Sequence, residues 1–283
     1  MKTVFVILHY MAVEVTLACV DRLLTNFKGS DVVIVDNASP DGSVKVLKEK
    51  YGAFASVHIL ELPENEGFAR GNNAGYAFAS RHLSPDFIVV MNNDVMIDDP
   101  LFTDKIEKIY VEEGFAVLGP DIYSPGADIH QSPTRRKMMT ADEVRILRAK
   151  MAAKYRFHLY NYITWNLKVK FGLKKAVKQP ANDYALPGEG CVLHGACYIF
   201  SKDFIAVRPE AFNPHTFLYC EEDILALECS KKGLRMLYRP GIKVTHLEDC
   251  STDAQTRSAM KRSRLKYKRL TESLGILLEE MKK

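Results

Sequence analysis

An apolar run that ends in three polar residues carries the clearest chemical signal in this sequence. Residues 87–91 are long enough for one buried strand, and Asn92, Asn93 and Asp94 follow them directly. Ligands of open α/β sheets lie beyond the carboxyl ends of such strands. On a continuing strand Asn92 and Asp94 would point the same way, and such oxygens suit a hard divalent cation that shares phosphate oxygens with a substrate. The structural alternative is that Asp94 only caps a helix or turn.

Three earlier apolar runs also end in polar side chains. His9-Tyr10 follows the first and Asp36-Asn37 the second, while the third leads into Glu-Asn-Glu-Gly-Phe-Ala-Arg-Gly-Asn-Asn at 64–73. The runs recur about 25–30 residues apart with helical patterns between them, which predicts right-handed βαβ units and a parallel sheet. We therefore expect the four polar ends to gather at one edge of that sheet.

Further elements follow this predicted sheet. A fifth apolar run, 115–118, is predicted to end at the breaker Gly119-Pro120. The helix predicted at 219–229 opens with Glu221, Glu222 and Asp223, whose structural alternative is to complement the helix dipole. The other predicted elements are a strand at 194–200, strands at 235–238 and 242–246 with a turn at Pro240-Gly241 between them, and a helix that starts at Thr140-Ala141-Asp142-Glu143.

The charge is concentrated in two segments of an otherwise ordinary globular composition. The chain has 283 residues, 47% hydrophobic and 26% charged, with a net charge of +4. Residues 135–178 hold thirteen Lys or Arg against two acids, and a second basic block spans 257–269. The first segment also carries large aromatics and the only tryptophan, Trp165, a composition typical of an interfacial amphipathic segment. We favour contact with a membrane surface over a basic helical hairpin whose charges are merely solvated.

The sequence also bears on compartment and enzyme class. The N-terminus is too soon interrupted by His9 for a signal peptide, and no apolar run approaches the ~20 residues of a membrane-spanning helix. The six cysteines form no CxxC pair or zinc spacing, so we expect buried thiols in a cytoplasmic protein that is peripheral on the inner face of the cell membrane. No GxGxxG, GxxxxGK[ST] or GxSxG motif is present, which disfavours a dinucleotide site, NTP hydrolysis and a nucleophilic serine.

Four motifs in order make the sequence resemble the family 2 inverting glycosyltransferases of the GT-A fold, in particular the bacterial rhamnosyltransferase-like branch. They are Asp-Asn-Ala-Ser at 36–39, Asn-Glu-Gly-Phe-Ala-Arg-Gly-Asn-Asn at 65–73, Asn-Asn-Asp at 92–94 and Tyr-Cys-Glu-Glu-Asp at 219–223. The resemblance implies an α/β GT-A fold with a basic helical insertion. Its implied parts are a nucleotide-sugar-binding half at 1–125, the insertion at 126–184, an acceptor and catalytic half at 185–252, and a basic helical tail at 253–283.

The resemblance also implies roles for the residues at the strand ends. Asp36 would accept a hydrogen bond from the uracil or thymine ring of a UDP- or dTDP-sugar. The same pocket would be lined by His9, Tyr10 and Asn37, and the nucleotide and diphosphate would be braced by Asn65, Arg70 and Asn73.

A metal site and a general base are implied as well. Asn92-Asn93-Asp94 stands where the family carries DxD, so Asp94 would ligate Mg²⁺ or Mn²⁺ and Asn92 or Asn93 would contact ribose or sugar. His246 matches a family histidine that can complete this site. The family places its base in an acidic pair at a helix start, here Glu221-Glu222. We favour Glu222, with Asp223, one residue further along, as the alternative. Adjacent acids also raise one another's pKa, which suits a base that acts near neutral pH.

The predicted function is inverting transfer of a sugar to a glycan or lipid-linked glycan in bacterial surface polysaccharide synthesis. One alternative is a catalytically silent, membrane-associated protein that only binds nucleotide-sugars, against which the retention of Asp94, Glu222 and His246 argues. Nucleic-acid binding through the basic blocks is a third hypothesis, but no recognised module supports it.

Overall fold

The computed structural model describes residues 1–170, 184–247 and 259–283. In these ranges ten strands form one mixed sheet, in the order β3-β2-β1-β4-β9-β6-β10-β5, with β7 on β6 and β8 on β10. The strands are β1 Thr3–His9, β2 Asp31–Asp36, β3 Val57–Glu61, β4 Phe87–Asn92, β5 Val95–Met96, β6 Val117–Ser124, β7 Ile129–His130, β8 Gly188–Glu189, β9 Cys197–Ser201 and β10 Met236–His246. The helices are α1 Val13–Asn26, α2 Ser43–Tyr51, α3 Gly67–His82, α4 Phe102–Glu113, α5 Ala141–Arg156, α6 His158–Lys170, α7 Lys202–Val207, α8 Glu221–Lys231 and α9 Ala259–Lys282.

The parallel βαβ half predicted from the first four apolar runs is confirmed. β1 pairs in parallel with β2 on one side and with β4 on the other. Its register sets His9 beside Asp36 and Leu8 beside Asn92. The interiors of these strands are almost completely buried on both faces, as expected for parallel strands covered by helices. The polar ends of three strands therefore meet at one edge of the sheet.

The prediction that the fifth strand ends at Gly119-Pro120 is wrong. β6 continues through both residues to Ser124. Gly119 leaves room for Leu193, whose Cδ2 would lie 2.6 Å from a Cβ at that position. Pro120 lies opposite Arg239, where the register of β10 shifts before Lys243, and a proline is tolerated in a strand at such an irregularity.

The same irregularity joins the last two predicted strands into one. The segments at 235–238 and 242–246 belong to one continuous strand, β10, and Pro240-Gly241 lies within its bulge instead of forming a separating turn. A bulge bends a strand without ending it. The strand predicted at 194–200 is shorter, because β9 begins only at Cys197.

The insertion and the tail pack together on the start of α8. α5 begins with the predicted cap, a capping box between Thr140 and Glu143, and α9 packs against α5 and α8. Their shared apolar cluster is Val144, Met151, Cys220, Ile224, Leu274 and Leu277.

The end of the predicted insertion, the Trp165 side chain, Cys250 and the start of the tail lie outside the described residues. The other five cysteines are buried and unpaired. No described helix combines the length and apolar character needed to cross a membrane.

Candidate active site

The ends of β1 and β2 are held together by a buried polar network. The His9 side chain is fully buried, and its Nδ1 and Nε2 lie 2.7 Å from Thr16 Oγ1 and 2.8 Å from Ser43 Oγ. Burial lowers the pKa of His9, so the ring is neutral near pH 7. Asp36 is also buried, and both its carboxylate oxygens accept from the Ser39 backbone N–H at 3.3 Å. His9 therefore links the end of β1 to α1 and α2 through these hydrogen bonds.

The amides of Asn37 and Asn65 fix the loop between β3 and α3. Asn37 Oδ1 accepts from Glu66 N–H at 2.9 Å, and its Nδ2 donates to Asn65 Oδ1 and Gly67 O, both at 3.2 Å. Gly67 has φ +77°, and a Cβ there would clash with the carbonyl oxygen of Phe217. Only glycine permits this close approach. The motif thus docks the loop onto the segment that leads into α8.

Two residues of the motif at 65–73, Arg70 and Asn73, face away from the strand ends. Asn73 is buried and clamps the backbone of Phe212, donating to its oxygen at 2.8 Å and accepting from its N–H at 2.9 Å. Arg70 donates to Pro214 O at 2.9 Å and to Glu66 at 3.2 Å, and it lines a separate surface groove. Neither side chain reaches the cavity at the strand ends, so their contact with a diphosphate stays a prediction.

A cavity of about 220 Å³ opens at the strand ends. Its sheet side includes Tyr10, Asn37, Asn65, Asn92 and Asn93, all predicted as site residues. The opposite side comes from residues that the sequence reasoning missed, namely Phe217, Leu218 and Tyr219 with Arg262, Leu265, Lys266 and Arg269 of α9. The signal for the α9 residues was the basic block at 257–269, which was interpreted only as a surface feature.

Asp94, in the turn after β4, directly follows the cavity residue Asn93 and meets His246 at the end of β10, although neither Asp94 nor His246 itself lines the cavity. The Asp94 carboxylate is buried, and its Oδ1 lies 3.2 Å from His246 Nε2 but has no hydrogen-bond partner among the described residues. His246 Nδ1 lies 2.8 Å from Gln131 Oε1. An amide oxygen only accepts, so in the neutral ring with Nδ1 donating to Gln131 the Nε2 lone pair would face the carboxylate. A buried acceptor pair of this kind fits a cation held between them, with the second nitrogen anchored by a hydrogen bond.

A second histidine, not predicted from the sequence, lies next to this pair. The His194 ring centroid is 5.9 Å from that of His246, and burial with the neighbouring His246 lowers the pKa of His194 to about 4. In the described part of the chain no group of three or more His, Cys, Asp or Glu is arranged to hold a metal ion. The Asp94–His246 pair therefore fits a cation that takes its other ligands from water and phosphate oxygens, as Mg²⁺ commonly does.

The three acids at the start of α8 have different environments. Glu221 is 3% exposed, and burial together with Glu222 raises its pKa to about 8. Asp223 is buried and paired with Arg135. Glu222 is partly exposed, no side chain in the described ranges hydrogen-bonds to it, and burial raises its pKa to about 6. Glu222 thus has the free carboxylate and the near-neutral pKa that a general base needs.

The backbone before α8 adopts a rare conformation. Tyr219 and Cys220 have φ +76° and +66°, and Cys220 occupies the N-cap position without a side-chain cap. Positive φ at two successive non-glycine residues costs about 1–3 kcal/mol each and persists where the surroundings over-determine it. Here the turn carries Tyr219 into the cavity wall and starts α8 beside it.

The family described as Glycosyl transferase family 2 has a sequence model that matches residues 4–184, more than half of the chain. Solved structures also share the architecture. Staphylococcus aureus TarS 1–349 in complex with UDP superposes with a TM-score of 0.56 at 12% identity, over 88% of this chain and 61% of that one. A TarS complex with UDP-GlcNAc gives 0.56 at 13% identity, over 88% and 59%.

Two further solved structures contain Mn²⁺. GalNAc-T7 with UDP, GalNAc and Mn²⁺ has a TM-score of 0.56 at 11% identity, over 88% of this chain and 44% of that one. The mannosyltransferase PcManGT from Pyrobaculum calidifontis, with GDP-Man and Mn²⁺, has 0.54 at 10% identity, over 99% and 74%. At these identities the likeness shows the fold alone, and it confirms the predicted GT-A fold. The chain spans about 60% of the length of the TarS structures.

Proposed function

Because the chain belongs to glycosyl transferase family 2, we propose that it transfers a sugar from a nucleoside diphosphate sugar to a hydroxyl group of a glycan acceptor, with inversion at the anomeric carbon. The observation that carries this proposal is Glu222, which is unpaired and partly exposed three residues after Tyr219 in the cavity wall. The raised pKa of Glu222, about 6, leaves the carboxylate ionised at pH 7 and basic enough to accept a proton.

The chemistry follows from this placement. The acceptor oxygen attacks the anomeric carbon from the face opposite the leaving group, and its proton passes to the Glu222 carboxylate. The bond between the sugar and the nucleoside diphosphate breaks as the new bond forms. Glu221, with its pKa of about 8, is protonated at pH 7, and Asp223 forms an ion pair with Arg135. Glu222 is therefore the base, in preference to Asp223.

The donor is a UDP- or dTDP-sugar. Support comes from Asp36, whose carboxylate at the end of β2 suits the imide N–H that uracil and thymine share, and from the UDP complexes of the structurally similar TarS and GalNAc-T7. Asp94 and His246 would hold Mg²⁺ or Mn²⁺, and the ion would offset the negative charge of the departing diphosphate. The orphaned Asp94 oxygen beside the Nε2 lone pair supports that assignment.

The acceptor is a lipid-linked glycan of a bacterial surface polysaccharide, reached at the inner face of the cell membrane. Phe157, Leu159, Tyr160 and Ile163, around the start of α6, expose between 50% and 70% of their surface. Basic residues of α5 precede them, and Arg156 lies over the Phe157 ring, 5.9 Å from its centroid. Exposed apolar side chains beside cations are typical of a surface that rests on anionic lipid.

The test is a nucleotide-release assay with purified protein on UDP-, dTDP- and GDP-sugars, each with Mn²⁺, Mg²⁺ or EDTA. We expect one metal-dependent donor, with release lost in Asp94→Ala and Glu222→Gln. Glu49→Gln, an exposed acid of α2, is the matched control and should behave as the wild type. Tight donor binding without release, even with added acceptor glycans, would instead indicate a catalytically silent binder.

A further inference from the structure

The strand-end cavity has an unusual balance of charge. Three of its lining residues, Arg262, Lys266 and Arg269, are cationic, and no Asp or Glu lines it within the described ranges. Like charges that share a small space repel one another unless an anion lies between them. The cavity wall is therefore suited to an anionic ligand.

These cations share one face of α9. Their spacing of four and then three residues puts them on the same side of a helix. Other basic residues of the block point elsewhere: Lys268 lies 3.7 Å from Glu272, and Arg264 stacks over Tyr155 with its Cζ 5.1 Å from the ring centroid. The basic block is thus divided between a face directed to the cavity and faces directed away from it.

Arg269 is held in place yet keeps unused hydrogen-bonding capacity. Its Cζ lies 3.9 Å from the centroid of the Phe217 ring, and its Nη1 lies 3.6 Å from Glu272. Its Nε is buried with no hydrogen-bond partner in the described part of the chain. Lys266 is exposed at the cavity edge, with Nζ 5.9 Å from the Tyr219 ring centroid. A forked donor stacked on an aromatic ring suits a phosphate group.

The wall of the cavity opposite α9 explains why a bound diphosphate would need the cationic side chains of α9. Asn92 and Asn93 line the cavity as neutral amides, and Asp94 is the single carboxylate in this three-residue motif. A site with one such carboxylate holds a cation less strongly than a site with two. We infer that Lys266 and Arg269 of α9, with Arg262, bind the diphosphate of the donor and carry part of the charge compensation. This inference rests on the proposed function, since it assigns the donor's diphosphate to this wall.

The test compares ligands that differ only in phosphate. Isothermal titration of the full chain in EDTA would measure affinity for UDP, UMP and uridine, with dTDP and GDP screened alongside. We expect Lys266→Gln and Arg269→Gln to weaken UDP binding at least tenfold each and to leave uridine binding unchanged. Lys268→Gln removes the same charge from the same helix outside the cavity and should not alter UDP affinity. Arg269→Lys should retain part of the affinity.

The outcomes separate this inference from the proposed function. If UDP, dTDP and GDP all fail to bind even with Mn²⁺, the proposed function fails and the inference with it. If a nucleotide binds but Lys266→Gln and Arg269→Gln match Lys268→Gln, the inference alone is overturned. It is also overturned if these variants lose binding to phosphatidylglycerol vesicles while UDP affinity is unchanged, because the cations would then serve lipid phosphate. Lys266 is exposed, so its variant should fold whether or not Arg269→Gln does.

Discussion

Three adjacent carboxyl groups at the start of α8 share a helix turn but differ in chemistry. Glu221 is buried and Asp223 is paired with Arg135, while Glu222 remains partly exposed. A carboxylate that is paired or fully enclosed cannot take a proton from an incoming hydroxyl group. The environment of each side chain therefore separates a candidate base from two neighbours of the same type.

Glu222→Gln should lower kcat for the donor identified by the release assay by about 10²–10⁴-fold, the usual contribution of a general base. The amide keeps the size of the side chain but cannot accept the proton, so donor affinity should hardly change. In the wild type, kcat should rise with pH and level off above about 6, the pKa of Glu222. A full rate in Glu222→Gln, together with its loss in Asp223→Asn, would move the base to Asp223.

Glu221 should make stability depend on pH. Its pKa is raised from 4.5 to about 8 by burial, so the folded state holds this proton more tightly than the unfolded chain does. The stability that results is fully present below pH 4.5 and is lost progressively as pH rises from there through about 8. Glu221→Gln stays neutral and avoids this loss.

Urea unfolding at pH 5 and pH 8 measures the effect. The free energy of unfolding of Glu221→Gln, measured relative to that of the wild type, should rise by a few kcal/mol from pH 5 to pH 8, at about 1.4 kcal/mol per pKa unit. The exposed control Glu49→Gln should show a constant difference from the wild type. An equally constant difference for Glu221→Gln would contradict the raised pKa.

Residue types at the strand ends could be predicted from the sequence more readily than their orientation. The sequence indicated Asp94 and His246 as partners, and the structure places them 3.2 Å apart. It did not indicate that Asn73 and His9 are turned inward, because amides and imidazoles serve buried networks and ligands equally well. Which of the two applies depends on contacts distant in sequence, such as Asn73 with Phe212.

At the scale of elements, α3 packs closely on the sheet that carries the candidate site. Gly71 and Gly75 face β1 and β2, where a Cβ on Gly71 would lie 2.6 Å from Leu8 Cδ1 and a Cβ on Gly75 would clash with Val6 and Val35. The close approach keeps the start of α3 next to the cavity. Glycine is needed here for space, since both residues are helical.

Gly75→Ala should therefore destabilise the fold. Alanine favours a helix by about 1 kcal/mol, but overpacking between rigid β-branched side chains costs about 1–3 kcal/mol, so we expect a net loss of up to about 2 kcal/mol. Gly126→Ala, where a Cβ would meet nothing within 4 Å, is the control and should be neutral or slightly stabilising. Chemical denaturation of both variants measures the difference, and equal stability would show that α3 shifts freely.

The elements themselves were largely predictable where the pattern is local. The four strands of the parallel half, the α5 cap and the helix at the acidic cluster each rest on a short sequence signal, and each is present. The strand end predicted at Gly119-Pro120 was wrong because a strand can continue through this proline only beside the bulge of β10. That bulge lies more than a hundred residues further along the chain. The docking of α9 likewise depends on the distant residues Val144 and Ile224.

At the scale of the whole molecule, the insertion and the tail add a helical layer that is cationic and partly apolar. α5, α6 and α9 carry most of the described Lys and Arg residues of the two basic segments, and exposed Leu159 and Tyr160 lie among them. Long-range attraction to anionic lipid and burial of apolar side chains reinforce each other. On the proposal that this layer rests on lipid, the candidate site would lie near the membrane surface.

Binding to vesicles containing phosphatidylglycerol should weaken as salt is raised, because each Lys or Arg near the surface contributes about 1 kcal/mol before screening. A Leu159→Ser, Ile163→Ser double variant should lose most of this binding, whereas Val111→Ser, an equally exposed residue of α4, should not. Co-sedimentation measures both. Equal sedimentation of all three proteins would leave the apolar side chains without a membrane role.

The division of the cavity wall between two parts of the chain has a consequence for chimaeras. The segment that matches the family ends at residue 184, while one wall of the cavity comes from α9, which starts at Ala259. Substitutions on one face of a single helix can alter the cavity without touching the sheet or the base. On the role inferred for the α9 cations, replacing them in a chimaera would change how strongly the cavity binds a diphosphate while the sheet and α8 keep their own sequence.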